Sequence, residues 1–223
     1  MNLPQIKAEL LSGECIPRII GREHMLCSAV LIPLILTEEE PLILFQRRSA
    51  QIRQGGEICF PGGRFDKEKD SDFKMTALRE TCEEIGIQAE KVEILGSPGT
   101  LVTPLNVLVQ PYLGILNING LSDLSANEEE VEELFTLSLS WFAENSPQEY
   151  RLPIKAHPFS ENQLTGDREC HFPTRELDLP ERYQTPWEGE NRHRIWAYST
   201  PQGLLWGITA QILVEILPLL MKD

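Results

Sequence analysis

The sequence has no Cys-x-x-Cys pair, no internal repeat, no low-complexity tract and no apolar run long enough to cross a bilayer. Each absence excludes a class. The five cysteines (Cys15, Cys27, Cys59, Cys82 and Cys170) form an odd set at scattered spacings, so they read as reduced thiols rather than a disulfide framework. Cys170-His171 has no second pair at zinc spacing and reads as a loop dipeptide. The longest apolar stretch, Trp206 to Met221, is broken by Gln211, Glu215 and Pro218 and falls short of the roughly 20 residues of a transmembrane helix. Met1 to Glu14 carries no basic segment leading into an apolar core, so no secretory signal is expected and a cytoplasmic location is. Positive charge is scarce as well. With 20 Lys and Arg against 34 Asp and Glu, the net charge is −14, which excludes nucleic acid or an anionic membrane as the main partner. The same field repels phosphate-bearing molecules, unless the acids are grouped to hold cations.

What remains is ordinary globular chemistry. A chain of 223 residues, 41% hydrophobic and 24% charged, supports one well-buried domain, taken as residues 1–223. Leu3, Ile6, Leu10 and Leu11 fall at helical spacing within an N-terminal extension over 1–25, whose apolar side offers a surface for a homodimer. Leu26 to Leu36 and Pro41 to Phe45 read as a strand hairpin around Thr37-Glu38-Glu39-Glu40. Strands are also expected at Val92 to Leu95 and Leu105 to Leu116, a strand or turn at Glu128 to Leu134, and a helix at Leu139 to Asn145. Residues 148–203 read as an irregular, proline-rich insertion and 204–221 as a closing helix. The irregular alternation of strands and helices favours an α/β domain with a mixed sheet.

One segment carries chemistry. Ser71 to Ile85 reads as a helix, capped by Ser71 or Asp72, stopped by Gly86, and anchored through Met75, Leu78, Cys82 and Ile85. Glu80 and Glu84 are one turn apart with Glu83 beside them, an array of carboxylate oxygens suited to a hard divalent cation. Taken alone, the same three residues equally make a solvated acidic face. Upstream, Gly62-Gly63 permits a backbone carbonyl to approach such a cation. Arg79 stands four residues before Glu83 and is placed to fix one carboxylate without competing for metal.

This pattern resembles the Nudix box, G-x5-E-x7-R-E-U-x-E-E-x-G-U, where U is apolar. Arg79-Glu80, Glu83-Glu84, Gly86 and Ile87 match its second half, with Thr81 at a U position. The stretch from Gly63 to Arg79 is two residues longer than the strict box, so Glu68, Asp70 and Ser71 all align with its first Glu. Leu44-Phe45-Gln46-Arg47-Arg48-Ser49, Ile52-Arg53, Gly56 and Phe60-Pro61-Gly62-Gly63 further resemble the coenzyme A pyrophosphatase branch. Asn127-Glu128, Glu130-Val131 and Trp206-Gly207-Ile208-Thr209-Ala210 agree with it. The resemblance implies an α/β/α sandwich built around the acidic helix, and a pyrophosphohydrolase using Mg²⁺ or Mn²⁺. Glu80, Glu83 and Glu84 would bind metal with Gly62 or Gly63; Glu83, Glu80, Arg79 and Glu130 would serve catalysis; Arg47 and Arg53 would grip substrate phosphate. The implied substrate is coenzyme A or an acyl derivative, split into phosphopantetheine and adenosine 3′,5′-bisphosphate. ADP-ribose or a dinucleotide such as NADH is the alternative within that chemistry, and a non-catalytic nucleotide-binding regulator the alternative outside it.

Overall fold

The computed structural model describes residues 2–12, 19–189 and 192–222, so Cys15 lies outside the described residues. In chain order the elements are α1 (Leu3–Ser12), β1 (Leu26–Leu36), β2 (Pro41–Arg48), β3 (Ile58–Cys59), β4 (Gly62–Arg64), α2 (Phe73–Ile85), β5 (Val92–Gly96), β6 (Leu101–Val102), β7 (Val107–Leu116), β8 (Val131–Ser138) and α3 (Leu139–Glu144). The short strands β9 (Gln148–Leu152), β10 (Lys155–Ala156), β11 (Phe159–Glu161), β12 (Arg168–Cys170) and β13 (Trp187–Glu188) follow. Then come β14 (His193–Thr200), β15 (Gly203–Trp206) and α4 (Gly207–Leu220). The chain divides into two compact units, 1–148 with 196–223, and 149–195.

In the larger unit the sheet is mixed. Its strand order is β3-β2-β1-β7-β5, with β1 and β7 parallel and β2 also pairing antiparallel with β8. Strand alternation decides what each face carries. Ile32, Leu34, Ile43 and Phe45 point to one side, where they meet Ile6 of α1, Phe142 of α3 and Ile212, Leu213 and Ile216 of α4. Leu31, Ile35, Leu44 and Leu116 point to the other and pack with Ile85 of α2. The result is the α/β/α sandwich. Fully buried aliphatic side chains such as Leu31 and Leu34 each contribute about 1.5–3 kcal/mol.

Two element boundaries differ from the sequence reading. The closing helix starts at Gly207 rather than 204, because Leu204 to Trp206 pair with Ser199 to Ala197 in a hairpin. Trp206 is therefore 40% exposed at the strand end rather than packed inside the helix. The acidic helix begins at Phe73, with Asp72 as its cap accepting from the Met75 N–H at 2.9 Å. At the N-terminus, Ile6 is 2% exposed and joins the chain's own core.

The smaller unit holds two antiparallel pairs, β10 with β13 and β11 with β12. Cys170 lies in a strand opposite Phe159 rather than in a loop, and His171 Nε2 sits 2.9 Å from Ser160 Oγ. Among the described residues no helix is long and apolar enough to cross a membrane.

Candidate active site

The first half of β1 pairs with β4, placing Gly63 opposite Ala29 and Gly62 opposite Val30. Both glycines are dictated by close approach. A Cβ at Gly62, where φ is 152°, would overlap the Ala29 carbonyl oxygen. At Gly63 it would overlap the Glu80 carboxyl group. Glu80 therefore lies directly against the glycine backbone.

The buried face of α2 is Phe73, Thr76, Ala77, Thr81, Glu84 and Ile85. This corrects the expected stripe: of Met75, Leu78, Cys82 and Ile85 only Ile85 is fully inside, and Met75 is 43% exposed. Thr81 fits at an apolar position because its hydroxyl donates to the Ala77 carbonyl at 2.6 Å, leaving its methyl for the core. The rotation separates the three glutamates. Glu84 is 2% exposed, Glu80 is half-buried, and the Glu83 side chain stands 55% exposed.

Glu84 is the most strained of the three electrostatically. Its Oε2 accepts from the Gly62 N–H at 2.8 Å, while the nearest cation, Arg48 Nη1, is 3.8 Å from Oε1. Burial outweighs these contacts and the neighbouring Gln46 amide, so its pKa is pushed up to about 7. Glu80 is also raised, chiefly by burial, with Glu83 and Glu130 adding like charge and Arg79 opposing.

Arg79 does more than fix one carboxylate. Its Nε and Nη2 bond the two oxygens of Asp70 at 2.8 and 2.9 Å, and its Nη1 lies 2.9 Å from Glu80 and 3.1 Å from Glu83. The i, i+4 contact to Glu83 is present, and the same guanidinium also engages Asp70 and Glu80: its fork has five donors and spends them on three acids. Among Glu68, Asp70 and Ser71, Asp70 takes the partner position to Arg79. Its carboxylate, 1% exposed, is held well below the usual range by that arginine.

Arg47 projects from the opposite face of β2. It pairs with Glu133 at 3.3 Å and donates to the Gly56 and Gln202 carbonyls. Arg53 is exposed in the following turn, where its carbonyl accepts from Arg48 Nε at 3.3 Å. The residues of β2 that reach the acidic helix are Gln46 and Arg48, which the sequence reading did not single out. The signal was available, since both share the alternation of Leu44, whose side chain packs with Ile85. Glu130 sits in the turn before β8, anchored by Ser49 N–H to its carbonyl at 2.8 Å.

Beside Glu80 opens a cleft of about 1250 Å³, bounded by Arg64 to Lys69, Phe73, Arg22, Leu108 and Gln110. Among the described residues no three Asp, Glu, His or Cys side chains converge as a ready-made metal cage. The donor chemistry nonetheless fits a hard divalent cation. Glu80 and Glu84 are carboxylates whose charge burial leaves under-compensated, and Gly63 keeps the space over Glu80 clear of a side chain.

The NUDIX domain family matches residues 25–162. A Nudix hydrolase of Photorhabdus laumondii, NudL, is 34% identical over 190 residues, covering 85% of this chain and 82% of the relative. The mitochondrial coenzyme A diphosphatase NUDT8 of Mus musculus is 35% identical, covering 58% of this chain and 62% of that protein. The peroxisomal coenzyme A diphosphatase NUDT7 of the same species is 37% identical, covering 55% and 50%. Among solved structures, the Mycobacterium smegmatis Nudix hydrolase RenU aligns with a TM-score of 0.45 at 19% identity, over 59% of this chain and 80% of that one. With its glycine pair, Arg79 and three helical glutamates inside the matched span, the chain belongs to the Nudix hydrolase family and is a pyrophosphohydrolase.

Proposed function

We propose that the chain hydrolyses the diphosphate bond of coenzyme A or an acyl derivative, releasing phosphopantetheine and adenosine 3′,5′-bisphosphate. The observation that carries this reading is the seating of the Glu80–Glu84 turn on Gly62-Gly63 beside a large open cleft. The choice of substrate draws on relatives named as coenzyme A diphosphatases and on the Gly56 and Phe60-Pro61-Gly62-Gly63 pattern.

In this reading Glu80, Glu83 and Glu84, with a carbonyl of Gly62 or Gly63, hold a divalent cation, Mg²⁺ or Mn²⁺. When bound, such an ion neutralises the diphosphate and acidifies a water. The chain's own residues do the rest. The Gly62 N–H fixes one oxygen of the buried Glu84, which holds the carboxylate in one orientation. Arg79 aligns Glu80 and Glu83 and supplies positive charge next to the substrate's developing negative charge. Glu130, whose charge bears on Glu80, is the proton acceptor.

The test is to incubate the purified protein separately with coenzyme A, ADP-ribose and NADH, with Mn²⁺ or Mg²⁺, and to separate the products. Adenosine 3′,5′-bisphosphate from coenzyme A is the expected result. Cleavage of ADP-ribose or NADH alone would transfer the activity to that substrate, and no cleavage of any would leave a binding protein.

A further inference from the structure

The basic side chains that reach the acidic helix from β2 and from the helix itself are already committed: Arg48 to Glu84, and Arg79 to Asp70, Glu80 and Glu83. Four others are not. Arg22, Arg64, Lys67 and Lys69 all line the cleft, and none forms an ion pair among the described residues. Arg64 ends β4, Lys67 and Lys69 lie on the loop between β4 and α2, and Arg22 comes from the turn before β1. Arg22 is held in place with its guanidinium 4.4 Å from the centre of the Phe73 ring.

In a chain of net charge −14 such a convergence of uncommitted bases is unexpected, because acids outnumber bases and pairing is the easy outcome. Glu23, Asp66, Glu68 and Glu80 share the lining, yet among the described residues none of them forms an ion pair with these four bases, and Glu80 is held by Arg79 instead. Asp66 Oδ1 accepts from the Glu68 N–H at 2.9 Å, closing its own turn, and Glu23 lies 3.7 Å from His24. The cleft is also larger than a diphosphate requires, since pockets of roughly 300–1,000 Å³ accommodate whole drug-sized ligands.

We propose that Arg22, Arg64, Lys67 and Lys69 form an anion site at the rim of this cleft, which receives a phosphate monoester of the substrate separate from the diphosphate at Glu80. The proposal rests on the hydrolase reading above for the identity of the diphosphate. It assigns these four residues a specificity role: they favour nucleotides carrying an additional phosphate over otherwise identical ones lacking it. Arginine grips the monoester through its planar fork and lysine as a point charge.

The site is tested by calorimetric titration of the intact protein in metal-free buffer with adenosine 3′,5′-bisphosphate, adenosine 5′-monophosphate and inorganic phosphate. The wild-type chain is expected to bind the bisphosphate at least tenfold more tightly than either other probe. Arg64→Ala/Lys67→Ala/Lys69→Ala, all exposed changes whose folding circular dichroism checks, should bring the bisphosphate-to-monophosphate ratio close to one. Equal affinities in the wild type, an unchanged ratio in the variant, or inorganic phosphate binding as tightly as the bisphosphate would each overturn the proposal. Because binding is read without turnover, a chain that shows the preference yet cleaves no coenzyme A refutes the hydrolytic substrate while leaving the anion site standing.

Discussion

Two buried carboxylates at opposite ends of one short segment have opposite fates. Asp70 is 5% exposed and Glu84 2%, yet the first is held ionised and the second is pushed up to about 7. The difference lies in their partners. Asp70 receives two short bonds from Arg79, one from Thr76 Oγ1 at 2.9 Å and one from the Asp66 N–H at 3.1 Å. Glu84 has one backbone N–H, the Gln46 amide and a distant arginine. A carboxylate whose desolvation is fully matched secures the fold, and one whose desolvation is not matched is available to a cation or a proton.

Glu84→Gln gives the sharpest test of that contrast. It keeps shape and the Gly62 contact but removes the charge. Hydrolysis should fall by at least about a thousandfold, some 4 kcal/mol in barrier, with the circular dichroism spectrum unchanged. Retained activity would remove Glu84 from the metal site. Asp70→Asn should do the reverse. Arg79 keeps Glu80 and Glu83 but loses its two charge-assisted bonds to a buried carboxylate, which should cost about 1.5–3 kcal/mol of stability in urea denaturation. A loss under 1 kcal/mol would show that Asp70 is not the structural member of the pair.

The pH dependence separates the two acids in a single experiment. Unfolded Glu84 titrates near 4.5 and folded Glu84 near 7, so the folded state holds a proton that the unfolded state has released between those values. Its contribution to stability is complete below about 4.5 and is lost as pH rises through 7. In metal-free buffer Glu84→Gln should therefore gain on the wild type between pH 5 and pH 8, by up to about 3 kcal/mol. Asp70 acts oppositely, since its depressed pKa stabilises the fold above the unfolded value and loses that effect only in acid. A constant difference between Glu84→Gln and wild type across this range would mean that burial does not raise the Glu84 pKa.

Gly63→Ala probes the backbone side of the same contrast. The added methyl overlaps the Glu80 carboxyl group, which must move off the glycine pair. Because the group that must yield is the end of a flexible side chain, we expect a stability cost below about 1 kcal/mol but at least a tenfold loss of kcat/KM. A variant with wild-type kcat/KM would show that the Glu80 position is not critical.

The strand over Leu26 to Leu36 was legible in the sequence because it runs apolar, and the acidic helix, read as 71–85 and observed over 73–85, because a cap residue and Gly86 bracket it. What periodicity could not supply was the phase of the helix. Counting Thr as polar and Met as apolar placed Met75 inside and left Glu84 with its neighbours on one face. Thr76 and Thr81 are in fact buried with their hydroxyls satisfied locally, so the helix rotates and carries Glu84 inward. The partner of Arg79 was open for a different reason. The loop from Gly63 to Arg79 is longer than the strict pattern, and only the folded path shows that Asp70, rather than Glu68 or Ser71, returns to the guanidinium. Side-chain commitments across strands, such as Arg47 to Glu133, lie 86 residues apart and have no local trace.

Glu83 lies between the two extremes and should show the smallest effect on the fold. It is the most exposed of the three helical glutamates and touches the structure through one contact, Arg79 Nη1 at 3.1 Å, four residues back on the same helix. Such pairs contribute about 0.3–0.5 kcal/mol, and Arg79 retains Asp70 and Glu80 without it. Glu83→Gln should accordingly leave the urea midpoint within about 0.5 kcal/mol of wild type. If its exposed oxygens serve a cation, the Mg²⁺ or Mn²⁺ concentration for half-maximal activity should rise at least tenfold in the same variant. A midpoint that falls by more than 1 kcal/mol with an unchanged metal requirement would place Glu83 beside Asp70 as a structural acid. The division between matched and unmatched carboxylates would then run between Glu83 and Glu84.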